Sequence, residues 1–428
     1  MKKRYWIIFA ILLVLSCFTV SYSSNEVITF STFPEEAEDG SPSDEAAQPD
    51  LKPGEAEVID SNNRFALDLY TQLKSDEGNI FFSPYSISMV LSILSEGARG
   101  KTADEFKAVF HQANDATLRR DATASIFNQL TKPRPDYILT MANALWAQQG
   151  HRFRSDYLDI TKKYYDGKIF NIDFVNEPDN AANIINDWIE DNTNNKIHDA
   201  VDRNEIDNTT QLIVTNAIYF KATWETVLKK IGWFDQDFRV DRNKVVKSSM
   251  MGETAYFGYY REKNFLNIIE LPYTGDAMSM LILFPVTNDL PAVEKELTLE
   301  NLKKWRSKIE CVRLEFSMPK FTFRTGYSLE EILSKMGLGS AFGNSADFSG
   351  IDGTKSLFIQ QFKHQTFVDV NEKGTEAAAV THGTLGCAAA PPEPVVVTVD
   401  HPFIFLIQDM KNGNILFIGR VIDPTQKA

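Results

Sequence analysis

Only three cysteines, Cys17, Cys311 and Cys387, occur in 428 residues, too few for a disulfide scaffold. Basic residues are in deficit, with 44 Lys+Arg against 58 Asp+Glu. The basic footprint of a nucleic-acid binder is therefore missing. No apolar run reaches the about 20 residues that a membrane-spanning helix needs. The six histidines, at 111, 151, 198, 364, 382 and 401, never fall at metal-ligand spacing. The sequence contains no Gly-x-Ser-x-Gly elbow, P-loop, His-Glu-x-x-His or Cys-x-x-Cys pattern. Gly337-Leu338-Gly339-Ser340 follows a helical stretch rather than a strand, so it does not read as a phosphate cradle. Neither an enzyme, a metal site nor a bound cofactor is expected from these absences.

What is present begins with an address. Lys2, Lys3 and Arg4 precede an apolar run from Tyr5 to Leu15, the pattern of a secretory signal over residues 1–23. Val14-Leu15-Ser16-Cys17 resembles a prokaryotic lipobox, which would place a lipid on Cys17. The alternative is an ordinary signal peptide cut near Ser23. A secreted or extracellular protein, or a lipoprotein anchored to the cell envelope, is the corresponding expectation. Residues 24–60 read as a solvated, self-repelling linker. From Pro34 to Asp60 there are ten acidic residues and one lysine. Residues 1–33 carry +2, so 61–428 retain −7 of the overall −14.

From Ser61 onward no Gly/Ser/Pro-rich linker interrupts the chain, which reads as one large domain, 61–428. Apolar spacing predicts helices over Arg64–Lys74, Ser86–Glu96, Thr102–Phe110 and Asn180–Asn192, the last with Ile184, Ile185 and Trp188 inward. Leu212–Phe220 is almost wholly apolar, as a strand covered on both faces should be. Met278–Phe284, Val312–Phe316, Thr366–Val370, Val395–Val399, Phe403–Ile407 and Asn414–Ile418 complete the expected strands. Helices early and strands late predict an α+β domain.

Residues Asn371 to Pro394 stand apart: NEKGTEAAAVTHGTLGCAAAPPEP, 24 residues almost without core-building bulk. Loops of this length in compact domains usually carry function. Taken in alternation from Thr375, one parity is Thr375, Ala377, Ala379, Thr381, Gly383 and Leu385, all uncharged. The other holds Glu376 and His382. As a strand, this segment could bury the first face and wet the second.

With these residues in place the chain resembles the serpins, the serine-protease-inhibitor family, over roughly 61–428. The resemblance rests on NIFFSPYS from Asn79, TNAIYFKATW from Thr215, Leu271-Pro272-Tyr273 before MSMLILFP, and Met318-Pro319-Lys320-Phe321. It continues through Asp347-Phe348-Ser349-Gly350, FKHQTFVDVNEKGTEAAA from Phe362, His401-Pro402-Phe403-Ile404-Phe405 and Phe417-Ile418-Gly419-Arg420. It implies a single α+β domain with a main mixed sheet, further sheets, about nine helices and an exposed reactive-centre loop at about 371–394. It also implies an inhibitory member, to which the lipobox-like signal segment adds the expectation of a prokaryotic, secreted or lipoprotein type. A protease cleaves the loop, is caught as an acyl-enzyme, and is carried along as the loop inserts into the main sheet.

Specific residues follow from that resemblance. Glu372, Lys373, Gly374, Thr375, Glu376, Ala377, Ala378 and Ala379 match the hinge. Lys320 and Trp224 match its supports. Ser83, Ser86, Asn216 and His364 match a polar cluster that holds two sheet strands together until insertion. The scissile bond, sixteen residues beyond Glu372, is Ala388–Ala389, with Cys387–Ala388 in reserve. A small residue there points to elastase-like or subtilisin-like serine proteases, because trypsin-like pockets require Arg or Lys. Cys387 reads as a small cleft-lining residue or an oxidisable thiol, and Cys311 as a structural one. The expected partner is a target serine protease held covalently by a monomer, with membrane contact only through the Cys17 lipid. The competing readings are a non-inhibitory carrier or chaperone serpin, and a cross-class inhibitor of cysteine proteases.

Overall fold

The computed structural model describes residues 51–112, 114–376 and 392–426. The signal segment with Cys17, most of the acidic linker, Ala377, Ala378, Ala379, Cys387, Ala388 and Ala389 lie outside the described residues. The first half of the chain runs α1 (Glu55–Leu73), β1 (Ile80–Phe82), α2 (Pro84–Gly97), α3 (Gly100–Val109), α4 (Ala116–Thr131), β2 (Tyr137–Gln148), α5 (Ser155–Tyr165), β3 (Lys168–Ile172), α6 (Pro178–Asn192) and β4 (Leu212–Thr223). Then come β5 (Lys229–Arg239), β6 (Val245–Glu262), β7 (Leu266–Pro272), β8 (Met278–Pro285), α7 (Leu290–Glu296), α8 (Leu299–Arg306), β9 (Glu310–Pro319) and β10 (Phe321–Ser328). The chain closes with α9 (Glu330–Leu333), α10 (Ser349–Asp352), β11 (Gln361–Asn371), β12 (Gly374–Thr375), β13 (Val395–Thr398), β14 (Phe403–Asp409) and β15 (Ile415–Val421). The class is α+β, although β1–β3 come early and four helices late, so the two kinds of element are less segregated than expected.

Two sheets organise the core. One has the order β1-β15-β14-β8-β7-β6-β9-β13, with β5 also on β6. The other has the order β10-β11-β12-β4-β2-β3. Phe81 ties them together. Its ring stacks on Phe417 at 5.2 Å and on Phe405 at 5.7 Å in the first sheet. Its carbonyl accepts hydrogen bonds from the hydroxyls of Thr325 on β10 and Thr366 on β11 in the second. On the opposite face of the second sheet, α6 buries Ala182, Ile185 and Ile189 against Ala142, Ala144, Trp146 and Ala217. Every residue from Leu212 to Phe220 is consequently buried.

Three expectations need correction. The domain does not start at Ser61: α1 begins at Glu55, and Ile59 is already in the core. Glu55 and Glu57 are first-turn acids that complement the positive helix end. The Glu55 carboxylate accepts from the Lys52 backbone N–H at 3.0 Å. Charge that reads as a solvated tether is, over its last six residues, a helix start. Ile184 does not point inward on α6 but is 43% exposed. The 100° step per residue puts it off the 182/185/189 stripe. Cys311 lies exposed on β9 rather than packed as a structural thiol.

Phe81→Ala should remove the buried ring contacts with Phe405, Phe417 and, across the sheets, Phe323 on β10 at 6.4 Å, while leaving the carbonyl bonds in place, and destabilise the fold by about 3–5 kcal/mol. Urea unfolding monitored by circular dichroism measures this; a loss below about 1 kcal/mol would contradict the assignment.

Candidate functional site

The second sheet is not uniformly closed. Strands β11 and β4 pair directly and in parallel from Gln361↔Ile213 to Thr366↔Ile218. Above that, two residues lie between them. Gly374 and Thr375 form β12, antiparallel to β11 at Asn371 and Val370 and to β4 at Thr223 and Ala222. The hinge thus occupies the mouth of a slot whose lower end is shut. Gly374 has φ 150°, a region that glycine favours over other residues.

Thr375 is 2% exposed. Its hydroxyl meets the Tyr273 hydroxyl at 2.6 Å, so the one polar group it buries is satisfied. Tyr273 stacks on Trp224 at 4.5 Å with the rings nearly parallel. Trp224 in turn supports the hinge backbone: its indole N–H donates to the Asn371 carbonyl at 2.9 Å and its backbone N–H to that of Lys373 at 2.9 Å. The backbone N–H of Leu228 donates to the Glu372 carbonyl at 3.0 Å. The Lys320 ammonium lies 3.0 Å from the Glu372 carboxylate. Burial pushes the Glu372 carboxyl up, but its backbone hydrogen bond, Lys320 and Lys230 outweigh that and hold it below the usual range. Both partners keep solvent access, so the pair contributes roughly 1 kcal/mol or less.

At Glu376 the chain leaves the sheet. Its φ is 51°, in the left-handed region that few non-glycine residues adopt. The Glu376 N–H donates to the Asp369 carbonyl at 2.8 Å. The Glu376 carboxylate pairs with Lys196 at 2.7 Å, on the segment after α6. Burial, then the charge of Glu376, pushes the Tyr219 hydroxyl up to about 12. Thr375 and Glu376 therefore face opposite ways, one into the core and one toward Lys196 and Tyr219.

The closed end of the slot is polar and buried. His364 on β11 and Asn216 on β4 are register partners, and Asn143 on β2 is the next partner across. The Ser83 backbone N–H donates to His364 Nε2 at 3.1 Å. That fixes the proton on Nδ1, which donates to Asn216 Oδ1. The Asn216 amide donates to Ser86 Oγ at 2.7 Å and to Asn143 Oδ1. Ser83 caps α2 by accepting from the Ser86 N–H at 3.1 Å, and its hydroxyl donates to the Leu416 carbonyl at 2.7 Å. Burial pushes the His364 imidazole down to about 3, so it stays neutral and keeps this bonding pattern.

Gly374, Thr375, Asn216 and His364 thus lie on the seam between β11 and β4; Trp224 and Lys320 contact the hinge from just past β4 and from the β9–β10 junction, and Ser83 and Ser86 reach the seam from the start of α2. Sequence reasoning missed Asn143, Lys196, Tyr219 and Tyr273. None was singled out as a site residue; each reaches the site only by strand pairing or by the path of the chain after α6. Asn143 leaves the one usable trace, a polar residue within an otherwise apolar stretch, Ala142 to Ala147.

The imidazole supplies a pH signature. Its folded pKa, about 3, lies below the ordinary 6.5. An opened or unfolded state therefore takes up a proton more readily as pH falls. The stabilisation is complete above pH 6.5 and is lost progressively between 6.5 and 3, by up to about 1.4 kcal/mol per pH unit. Unfolding midpoints of wild type should fall more steeply over that window than those of His364→Gln. Parallel curves would contradict the role of the neutral ring.

Comparison with known proteins follows the same line. The family model described as serpin (serine protease inhibitor) matches residues 60–424. A serpin-like protein of Thermococcus kodakarensis is 38% identical over 378 residues, 87% of this chain and 88% of that protein. Leukocyte elastase inhibitor of Equus caballus is 36% identical over 376 residues, 85% of this chain and 98% of that protein. The crystal structure of Serpin48, described as a highly specific serpin of the insect Tenebrio molitor, superposes with a TM-score of 0.75. It is 31% identical, covering 86% of this chain and 98% of that one. A two-sheet α+β domain with a slot between β11 and β4, matched along nearly its whole length by this family, leaves one conclusion: the chain belongs to the serpins.

Proposed function

We propose that this serpin is an irreversible, suicide-type inhibitor of serine endopeptidases with small specificity pockets, elastase-like or subtilisin-like. The observation that carries the reading is Thr375 seated between β11 and β4, with a run of small residues following it in sequence. The next inward-parity residues, Ala377, Ala379, Thr381, Gly383 and Leu385, are uncharged. They would extend β12 down the slot as the β11–β4 bonds are exchanged for bonds to the incoming strand. Serpin loop insertion is itself a standard example of such a switch.

The proposed chemistry starts as ordinary proteolysis. The protease serine oxygen attacks the Ala388 carbonyl carbon, its proton passing to the protease histidine. The Ala388–Ala389 bond breaks, and the histidine returns the proton to the new Ala389 amine. Ala388 is left as an ester on the enzyme. Insertion then draws the ester-linked protease across the molecule before water can hydrolyse the bond. The polar cluster resists early opening, and the hinge contacts start the strand at the correct face. Leukocyte elastase inhibitor among the relatives supports a small-pocket target, as does the absence of Arg or Lys between Thr375 and Pro394. The amino-terminal signal pattern supports action outside the cell, with Cys17 as the lipid attachment point if an anchor is present.

Incubation with pancreatic elastase or subtilisin should give a covalent complex on a denaturing gel together with a loop-cleaved form. Mass spectrometry of the released C-terminal peptide should start at Ala389. Cleavage without a complex across a protease panel would contradict the reading and favour a non-inhibitory serpin. Thr375→Arg should bury an unpaired charge at a cost of several kcal/mol. It should turn the inhibitor into a substrate, and undiminished complex formation would contradict the parity assignment.

A further inference from the structure

Among the described residues, large apolar side chains are exposed mainly one at a time, the partly exposed Val395–Val396 pair apart. Trp233 and Phe234 depart from that pattern. They are adjacent, and they are 94% and 86% exposed. They sit on β5, whose described partner strand is β6. Between Ile231↔Met250 and Gln236↔Ser248 the register breaks, so that Gly232-Trp233-Phe234-Asp235 bulges out of the ladder. Gly232, at φ 73°, makes the turn into the bulge.

A bulge is a common way to protect a sheet edge from stray pairing. That purpose is served by charge or proline and gives no reason to expose two aromatic rings. Water contact over both rings is unfavourable, so a partner that covers them would gain affinity from their burial.

The position of β5 identifies the partner. Just before its start, the Leu228 N–H bonds the carbonyl of Glu372 in the hinge. At its end, the Arg239 N–H donates to the Asp400 carbonyl at 2.8 Å, and its guanidinium pairs with the Asp400 carboxylate at 2.7 Å. Asp400 lies just beyond β13, the strand that follows the reactive loop. The strand carrying the aromatic pair therefore runs from one foot of the loop to the other. At about 3.3 Å per residue, Trp233 stands within about 17 Å of Leu228. A protease footprint of roughly 800 Å² per partner extends well beyond a single bound loop.

We propose that Trp233 and Phe234 form a second docking contact for the target protease, filling an apolar recess beside its active-site cleft. This rests on the inhibitor reading above and adds to it a determinant of target choice outside the cleaved sequence. Rigid aromatic anchors within a polar rim are the usual form of an interface hot spot. The neighbouring ion pairs Lys229–Glu253 and Lys247–Asp237 provide that rim and neutralise each other. The two rings dominate the contact, so the recess is apolar, with the exposed Asp235 at its edge.

The test uses full-length wild type and Trp233→Ala/Phe234→Ala. Each is titrated against pancreatic elastase and subtilisin whose nucleophilic serine is replaced by alanine, and the active enzymes give the inhibition rate. The double variant should bind the better-bound protease at least about tenfold more weakly. Its second-order inhibition rate should fall by the same factor. The number of inhibitor molecules consumed per enzyme trapped should not change, since insertion is untouched. Equal affinities of the two forms for both proteases would overturn the proposal, as would failure of wild type to bind either one. A wild-type dimer in sedimentation that the double variant dissociates would assign the pair to self-association and also overturn it. The inhibitor reading fails differently: the active enzymes would cut the loop of both forms and leave no covalent complex.

Discussion

Six register pairs, Gln361↔Ile213 to Thr366↔Ile218, join β11 directly to β4, and at the fourth of them His364 meets Asn216. The rest of the sheet depends on that junction. On one side of it β10 and β11 are held as an antiparallel pair, and on the other β4 and β2. Above it, β12 already separates the two halves. Breaking the junction would leave two intact half-sheets with a strand-width gap, which is the geometry an inserting segment needs. A hydrogen bond that is fully buried and fully partnered holds such a boundary firmly. The contacts at the hinge, such as the partly exposed Lys320–Glu372 pair, are individually weak. In the proposed mechanism that ordering matters: the mouth of the slot is easily rearranged, while its closed end sets the barrier.

The sequence made some of this legible and not the rest. Residues 212–220 announced a strand covered on both faces because nearly every side chain is apolar or small, and burial on both sides is what α6 and the main core impose. Of the alternation from Thr375 onward, Thr375 and Glu376 lie in the described residues and face opposite ways, although the Glu376 carboxylate is covered by Lys196 rather than wetted. His364 and Asn216 stand 148 residues apart, so no local pattern could pair them; their link came from the family resemblance. Lys196 and Tyr219 were invisible for the same reason without such help, and Asn143 showed only as a polar residue within an apolar stretch. The acidic tract misled in the other direction. Composition treats Glu55 and Glu57 as solvating charge, whereas position at a helix start makes them stabilising. Ile184 failed because an apolar residue beside the buried stripe looks the same in a one-dimensional reading as one within it.

Charge is distributed in keeping with the proposed function. The large negative balance is concentrated toward the amino terminus, and the sequence from Glu376 to Pro394 holds few charges. Selectivity by long-range attraction is therefore a poor fit to this protein. In the proposed function, small side chains at the cleavage point would admit a class of proteases, and short-range apolar contact outside the loop would choose among them.

The proposed mechanism requires that the native sheet be held short of its most stable arrangement by the β11–β4 junction. Thermal unfolding before and after a single proteolytic cut in the reactive loop tests it most directly. The account predicts that the cut protein melts far higher, well beyond the about 2–4 °C that one kcal/mol shifts a domain of 150–250 residues. An unchanged or lowered melting temperature would contradict it.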